Sequence, residues 1–385
     1  MTTTTDRGVS HLSHLECGHC RQSWEADRLH NRCPSCTGPL LARYRLAGPD
    51  MPALDEVLAR PPGQFRFHEV LPTSAGADTA TLGEGATPLL RATALGRKVW
   101  VKDEAQNPTG SFKARGMAVA VARNVELGAR DFNLPSNGNA GAAAAAYAAL
   151  HGVHVVVAVP ANTPEAVVEM ARICGAEVIR VEGTIADAAQ VAADQGDGHS
   201  FSLATLGEPY RVEGKKMMGY EIYWDLGRLP DAIFYPTGGG TGLVGMAKAF
   251  DEMEELGWLG PKRPRLVAVQ SEDCAPIVRA FHEGATRAEP WVDPGVTEAY
   301  GLRVPSAIGD RLMLAALRAT DGTGVAVSEA EMAEATRAMA TEAGIVGSPE
   351  GGACLAAYRR LLSDGSLTTD DEVVLFNTGA AANYR

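Results

Sequence analysis

Asn107-Pro-Thr-Gly-Ser-Phe-Lys-Ala-Arg-Gly116 decides how the rest of the chain is read. It follows a strand-like run, Lys98-Val-Trp-Val-Lys102, and opens a helical segment from Ala114 onward. A Pro-Thr-Gly turn into an apolar helix is ordinary strand-to-helix punctuation. Lys113, just inside the start of that helix, is less ordinary. Desolvation and the positive end of the helix dipole both disfavour an ammonium there, so its pKa is expected to fall. A neutral amine is the form that condenses with a carbonyl. The competing reading of a lone lysine is a side chain that lays its stem on the surface and keeps its charge in water.

Working outward, strands and helices alternate from Gly96 to the C-terminus. Strand-like runs fall at 153–159, 177–181, 232–235, 265–270 and 372–377, and helical runs at 114–127, 140–150, 164–174, 242–255, 308–319, 329–343 and 352–363. Such alternation predicts an α/β fold with parallel sheets covered by helices on both faces. The 385 residues, 45% of them apolar, suffice for a large core. A net charge of −12 argues against nucleic acid or an anionic membrane as the main partner. No run is long enough to span a bilayer, and Met1 to Ser10 lacks an apolar signal core, so the expected setting is cytoplasmic.

Ahead of this region, Cys17-Gly-His-Cys20 and Cys33-Pro-Ser-Cys36 form two Cys-x-x-Cys knuckles. Four thiolates at that spacing match a zinc ribbon, a closed tetrahedral site with a structural role. A redox dithiol would not explain the second knuckle. The expected divisions are a disordered tail over 1–14, the ribbon over 15–47, a Pro-rich linker over 48–80 and a catalytic region over 81–385.

Two further loops suggest anion sites. Ser136-Asn-Gly-Asn139 precedes an Ala-rich helix and can offer backbone N–H groups at its N-terminus, or simply cap it. Tyr235-Pro-Thr-Gly-Gly-Gly-Thr-Gly-Leu-Val-Gly245 joins a strand to a helix, and consecutive glycines let successive N–H groups converge on one phosphate. Gly240-x-Gly242-x-x-Gly245 also fits a dinucleotide fingerprint, with Glu272 where a ribose-binding acid would sit. That loop alone leaves both readings open.

The lysine segment, Leu82-Gly-Glu-Gly-Ala-Thr-Pro-Leu89, and the two anion loops together resemble the threonine synthase family of fold-type II pyridoxal-phosphate enzymes, and the resemblance runs to the C-terminus. It implies two α/β domains packed side by side, as in the tryptophan synthase β chain, the smaller over about 117–202, with pyridoxal phosphate between them. It implies that Lys113 carries the cofactor and acts as catalytic base. Phe112, Asn139, Gly238, Gly239, Gly240, Thr241, Gly242 and Thr378 would surround the cofactor, and Ser136, Asn137 and Gly138 would hold the substrate carboxylate. Glu350, Arg211, Lys215 and Arg303 are secondary candidates. A homodimer acting on a small amino acid is implied as well.

The implied activity is a carbon–oxygen lyase, first a threonine synthase converting O-phosphohomoserine and water to threonine and phosphate. The alternatives are a β-elimination or β-replacement enzyme (serine/threonine dehydratase-like or cysteate-synthase-like), an NAD-dependent dehydrogenase, or a non-catalytic ribbon adaptor. Two departures from the family pattern bear on specificity. Asn137 stands where relatives usually carry Ser, Thr or Ala, and Asn383 where they carry Lys. If Asn383 lines a distal phosphate pocket, the lost charge would weaken phosphate binding.

Overall fold

A computed structural model describes residues 10–194 and 200–385. Of the expected tail, residues 1–9 lie outside the described residues. The remainder is not a tail, because strand β1 (Leu12–Cys17) begins within it. β1 pairs antiparallel with β2 (Ser23–Trp24) and β3 (Leu40–Tyr44). Leu15, Leu40, Leu41 and Leu46 of this small sheet and its flank merge with the main apolar core. The ribbon is therefore packed on the body.

The stretch expected as a linker is packed too. It holds helix α1 (Leu54–Ala59) and two short 3-10 turns, Gln64–Val70 and Gly76–Asp78. Its prolines and glycines prevent long regular elements but not burial. Phe67 is fully buried, stacked on Trp258 at 5.1 Å and edge-on to Tyr220 at 5.6 Å.

β4 (Leu89–Arg91) and β5 (Val99–Asp103) then lead to α2 (Lys113–Glu126). A first alternation follows: β6 (Asp131–Pro135), α3 (Asn139–Leu150), β7 (His154–Pro160), α4 (Glu165–Ile173), β8 (Glu177–Val181), α5 (Ile185–Asp194) and β9 (Phe201–Ser202). The long helix α6 (Arg211–Leu226) returns the chain to the larger sheet. That part comprises β10 (Ala232–Pro236), α7 (Thr241–Glu255), β11 (Arg265–Ser271), α8 (Pro276–His282), α9 (Asp310–Ala319), β12 (Thr323–Val327), α10 (Glu329–Ala343), α11 (Pro349–Ser363) and β13 (Val373–Asn377).

The smaller sheet runs β8-β7-β6-β9 and is parallel throughout. The larger runs β12-β11-β10-β13-β5-β4, parallel except for the edge strand β4. Strands β10 and β13 are buried along their whole length, as continuous apolar runs in doubly covered parallel sheets are. The α/β architecture read from the sequence is thus the observed one.

Helix α2 crosses α6 at very close range. A Cβ on Gly214 of α6 would sit 1.8 Å from the Arg115 carbonyl oxygen of α2. At the same crossing Arg115 is fully buried and binds two carboxylates, Glu104 at 2.6 Å and Glu221 at 2.7 Å. Lys102 adds 2.9 Å to Glu221, and Thr87 donates to Glu104 at 2.6 Å. Burial alone would raise the Glu221 carboxyl, but Arg115 and Lys102 outweigh it and hold the group well below the usual carboxylate range. This network pins the start of α2, two residues from Lys113, to β5 and α6.

Replacing Arg115 with Met would leave the buried Glu104 without its cation and Glu221 with Lys102 alone. Removing one partner of such a cluster costs about 3–5 kcal/mol. The denaturation midpoint of Arg115→Met is expected to fall accordingly in a urea titration, and a loss under about 1 kcal/mol would mean the network is solvent-screened.

Candidate active site

A cavity of about 560 Å³ opens between the two sheets. Its wall is built by loops that leave the carboxyl ends of β5, β6, β10 and β13, where α/β sheets place their ligands. The residues expected at the site, Phe112, Lys113, the loop Ser136–Asn139, Gly238–Gly242 and Thr378, all line it.

The lysine loop is held from three sides. Asn107 accepts from the Gly85 amide at 3.1 Å and donates to Glu104 at 2.9 Å. Thr109 and Gly110 take left-handed backbone angles, φ 60° and 67°, and so turn the chain into α2. Phe112 N–H donates to the Thr378 carbonyl at 3.1 Å. Lys113 is the first residue of α2, partly buried and open to the cavity. Its amine lies 4.2 Å from the centre of the Phe112 ring. Burial, then the charge of Arg211, push its pKa down to about 7, against a smaller opposing pull from Glu350.

Two more cations sit behind the wall. Lys215 is fully buried, 4.5 Å from the centre of the same Phe112 ring, and donates to Thr241 Oγ1 at 2.7 Å. Burial, with Lys113 and Arg211 nearby, holds its pKa well below the ordinary lysine value. Arg211 donates to the Leu203 carbonyl at 2.5 Å, while its Nε and Nη2 are buried without a partner. Burial lowers this guanidinium to about 10, with Glu208 only partly offsetting. Glu208 spends its own oxygens on the backbone amides of Tyr210 and Arg211.

The glycine loop closes the site at the N-terminus of α7. Gly240 has φ 78°, and a Cβ there would meet Met313 Sδ at 2.1 Å. A Cβ on Gly238 would meet the Gly301 carbonyl at 2.1 Å. The loop is therefore restricted to glycine by conformation and by contact, and the amides of Gly238, Gly239 and Gly240 donate no backbone hydrogen bond among the described residues.

Across from it, Ser136 Oγ accepts from the Gly138 and Gly141 amides at 3.0 and 2.8 Å. That hydroxyl is engaged in shaping the loop. Asn137 donates to the Tyr300 carbonyl at 3.3 Å. At the C-terminal loop Thr378 is buried, and its hydroxyl makes no side-chain hydrogen bond among the described residues. Glu350 accepts from the Gly301 amide at 2.9 Å and has one buried oxygen without a partner; burial raises its pKa.

Asn383 lines the cavity, but its amide is already committed. Nδ2 donates to Asn139 Oδ1 at 2.7 Å and to the Thr109 and Gly110 carbonyls at 3.0 and 3.3 Å. It ties Asn139 to the lysine loop, so its side chain has no donor left for a distal phosphate. Tyr384 completes that corner: its hydroxyl accepts from Asn139 at 3.3 Å and its ring stacks on Tyr300 at 6.4 Å. Neither tyrosine is among the site residues expected from the sequence.

Residues 80–379 match the family model described as pyridoxal-phosphate dependent enzyme. Over 375 residues the chain is 32% identical to a threonine synthase of Methanosarcina acetivorans, covering 96% of this chain and 91% of that one. The chain belongs to the threonine synthase family of pyridoxal-phosphate dependent enzymes. A threonine synthase of Methanocaldococcus jannaschii is 30% identical over 371 residues, with 94% and 91% coverage. Among solved structures, a threonine deaminase from T.th. superposes with a TM-score of 0.66 at 27% identity, over 86% of this chain and 98% of that one.

Membership in this family of lyases of fold type II sets aside the dehydrogenase and adaptor readings. The structure agrees at the residue that the dinucleotide reading needed. Glu272 accepts from Arg360 at 3.1 Å and does not line the cavity. Gly245 instead lets α7 approach α6, since its Cβ would lie 2.9 Å from the Lys216 amide nitrogen.

Away from the cavity, the thiol sulfurs of Cys17, Cys20, Cys33 and Cys36 all lie within 4.8 Å of one another. The amides of His19 and Cys20 point at Cys17 Sγ at 3.4 and 3.5 Å. That geometry suits a tetrahedral ion.

The depressed amine gives a pH test. Below about pH 7 Lys113 is protonated and cannot attack a carbonyl; above it the neutral amine dominates. Capture of pyridoxal phosphate by cofactor-free protein, followed by its visible band, is expected to rise with pH, to be half-maximal near the amine's pKa of about 7, and to slow about tenfold per unit below it. A profile still climbing towards about pH 10 would show an ordinary lysine.

Proposed function

We propose that this chain is a threonine synthase that releases phosphate from O-phosphohomoserine and adds water. The observation that carries the proposal is the lysine amine with pKa about 7 facing a bare glycine loop across a closed-in cavity. The residues present fit pyridoxal phosphate. Lys215 donating to Thr241 at the glycine loop and the unpartnered buried Nε and Nη2 of Arg211 suit a monophosphate there. When bound, this cofactor joins covalently to an amine and draws electrons from the neighbouring carbon.

In this proposal Gly238, Gly239, Gly240, Thr241 and Gly242 hold the phosphate, helped by the α7 dipole. Phe112 packs beside the ring. Asn139, oriented by Asn383, and Thr378 would hold the polar atoms of the ring with neutral side chains. Asn137 and Gly138 bind the substrate carboxylate on a loop that Ser136 shapes. Lys113 removes the proton from the substrate Cα and returns protons as the side chain rearranges.

Elimination from a hydroxyamino acid is a second reading. It is favoured by one observation: where the family carries Lys, this chain has Asn383, whose donors are spent inside the protein. The same proposal places a structural zinc on the four ribbon cysteines, with residues 15–47 as its module and 81–385 as the catalytic region. Its setting would be the cytoplasm, supported by cysteines that form no disulfide among the described residues, and its assembly a homodimer.

Lys113→Ala is expected to abolish turnover and the visible band, while pyridoxal phosphate still binds reversibly through the glycine loop. Phosphate release from O-phosphohomoserine, run beside ammonia release from serine and threonine, separates the two readings. For the ribbon, elemental analysis is expected to find about one zinc per chain; metal-free protein with four titratable ribbon thiols would contradict it.

A further inference from the structure

One cation of the cavity wall comes from the ribbon. Arg32 precedes Cys33 and lines the same cavity as Lys113. The ribbon is fixed where it does so. Asn31 Nδ2 donates to the Ser202 carbonyl at 2.8 Å, at the end of β9. Arg123 of α2 donates to the Ala26 carbonyl at 2.8 Å. On the far side, the Tyr44 ring lies 4.0 Å from the Lys216 ammonium and 4.7 Å from that of Lys248. Those two lysines are themselves bound by the buried Glu213 and Glu252. The backbone bridge from Arg32 to Pro39 then fixes the residue within its knuckle.

The Arg32 side chain is exposed and forms no ion pair or side-chain hydrogen bond among the described residues. This sets it apart from its neighbours in the wall. Arg303 gives its guanidinium to the Pro294 carbonyl at 3.1 Å. Lys113 is reserved at the centre, and Glu350 is the acidic residue of the lining, buried on the Gly301 side. The exposed part of the cavity lining thus includes a guanidinium that is free among the described residues, in a protein whose net charge of −12 otherwise repels anions. A planar fork of donors is suited to phosphate.

We infer that Arg32 is a substrate-binding residue, holding the distal phosphate of a phosphorylated amino acid at the mouth of the cavity. The ribbon then serves specificity as well as stability, and it supplies a positive charge at the site where Asn383 does not. The inference rests on the reading of the substrate as phosphorylated.

The test uses intact enzyme saturated with pyridoxal phosphate, so that the glycine cup is filled, and inorganic phosphate as the probe. Calorimetric titration is expected to show binding by the native protein, roughly five- to tenfold weaker binding by Arg32→Ala, and partial recovery in Arg32→Lys. The cofactor band and zinc content serve as folding controls. In turnover, Arg32→Ala is expected to raise KM for O-phosphohomoserine by a similar factor at unchanged kcat, and to leave reaction with serine unaffected. Equal phosphate affinity in native and Arg32→Ala protein, or none in either, overturns the Arg32 assignment and leaves the proposed reaction standing if O-phosphohomoserine is consumed. Arg32-dependent phosphate binding without any such turnover upholds the subsite and overturns the reaction.

Discussion

Three basic side chains buried without an ion-pair partner among the described residues are the constraint on which this structure depends. Lys113, Lys215 and Arg211 are brought together in the low-dielectric region where α2 and α6 meet, and each is pushed toward its neutral form by burial first. Removing charges from water without partners is costly. The cost is reduced if the site holds an anion, and the glycine loop at the start of α7 lines the same cavity. The same burial leaves the Lys113 amine ready to react near neutral pH. One environment therefore bears both on the proposed phosphate site and on the reactivity of the Lys113 amine.

The surrounding scaffold keeps that environment in place. Arg115 ties α2 to Glu104 and Glu221, and Thr87 of the Gly-Glu-Gly-Ala-Thr segment joins the same network at 3.0 Å. Glu84 of that segment accepts from the Tyr147 hydroxyl at 2.5 Å, anchoring α3 as well. The segment thus works at a distance from the chemistry, by fixing both helices whose first residues line the cavity. The ribbon adds a clamp on the outer side of α6 and α7. Its removal would expose Lys216 and Lys248 with their carboxylates and withdraw Arg32 from the mouth.

Much of this is legible in the sequence because the decisive features are local. A loop that demands glycine at φ 78°, or a lysine at the first turn of a helix, is written in consecutive residues. The parallel sheets are legible because strands such as Val373–Asn377 are buried throughout and read as apolar runs. Helix α6 is not, since it is buried on nearly all sides and carries Arg211, Glu213, Lys215, Lys216 and Glu221 inward. A helix without a polar face gives no amphipathic period. The packed stretch at 48–80 reads as a linker because composition reports the lack of regular structure but not burial. Asn383 reads as a lost phosphate contact, and its real partner, Asn139, lies 244 residues away along the chain. Contacts of that separation, like that of Arg32 with the cavity, depend on the fold as a whole.

The chemistry turns on which amine carries the cofactor, and the nearness of two lysines to one ring makes the question sharp. Lys113 and Lys215 lie 4.2 and 4.5 Å from the centre of Phe112, but Lys113 opens to the cavity while Lys215 is turned to Thr241. Borohydride reduction of the protein with bound pyridoxal phosphate, followed by peptide mapping, locates the attachment. The expected result is the cofactor's mass on Lys113 alone; its appearance on Lys215, or on no lysine, would contradict the assignment.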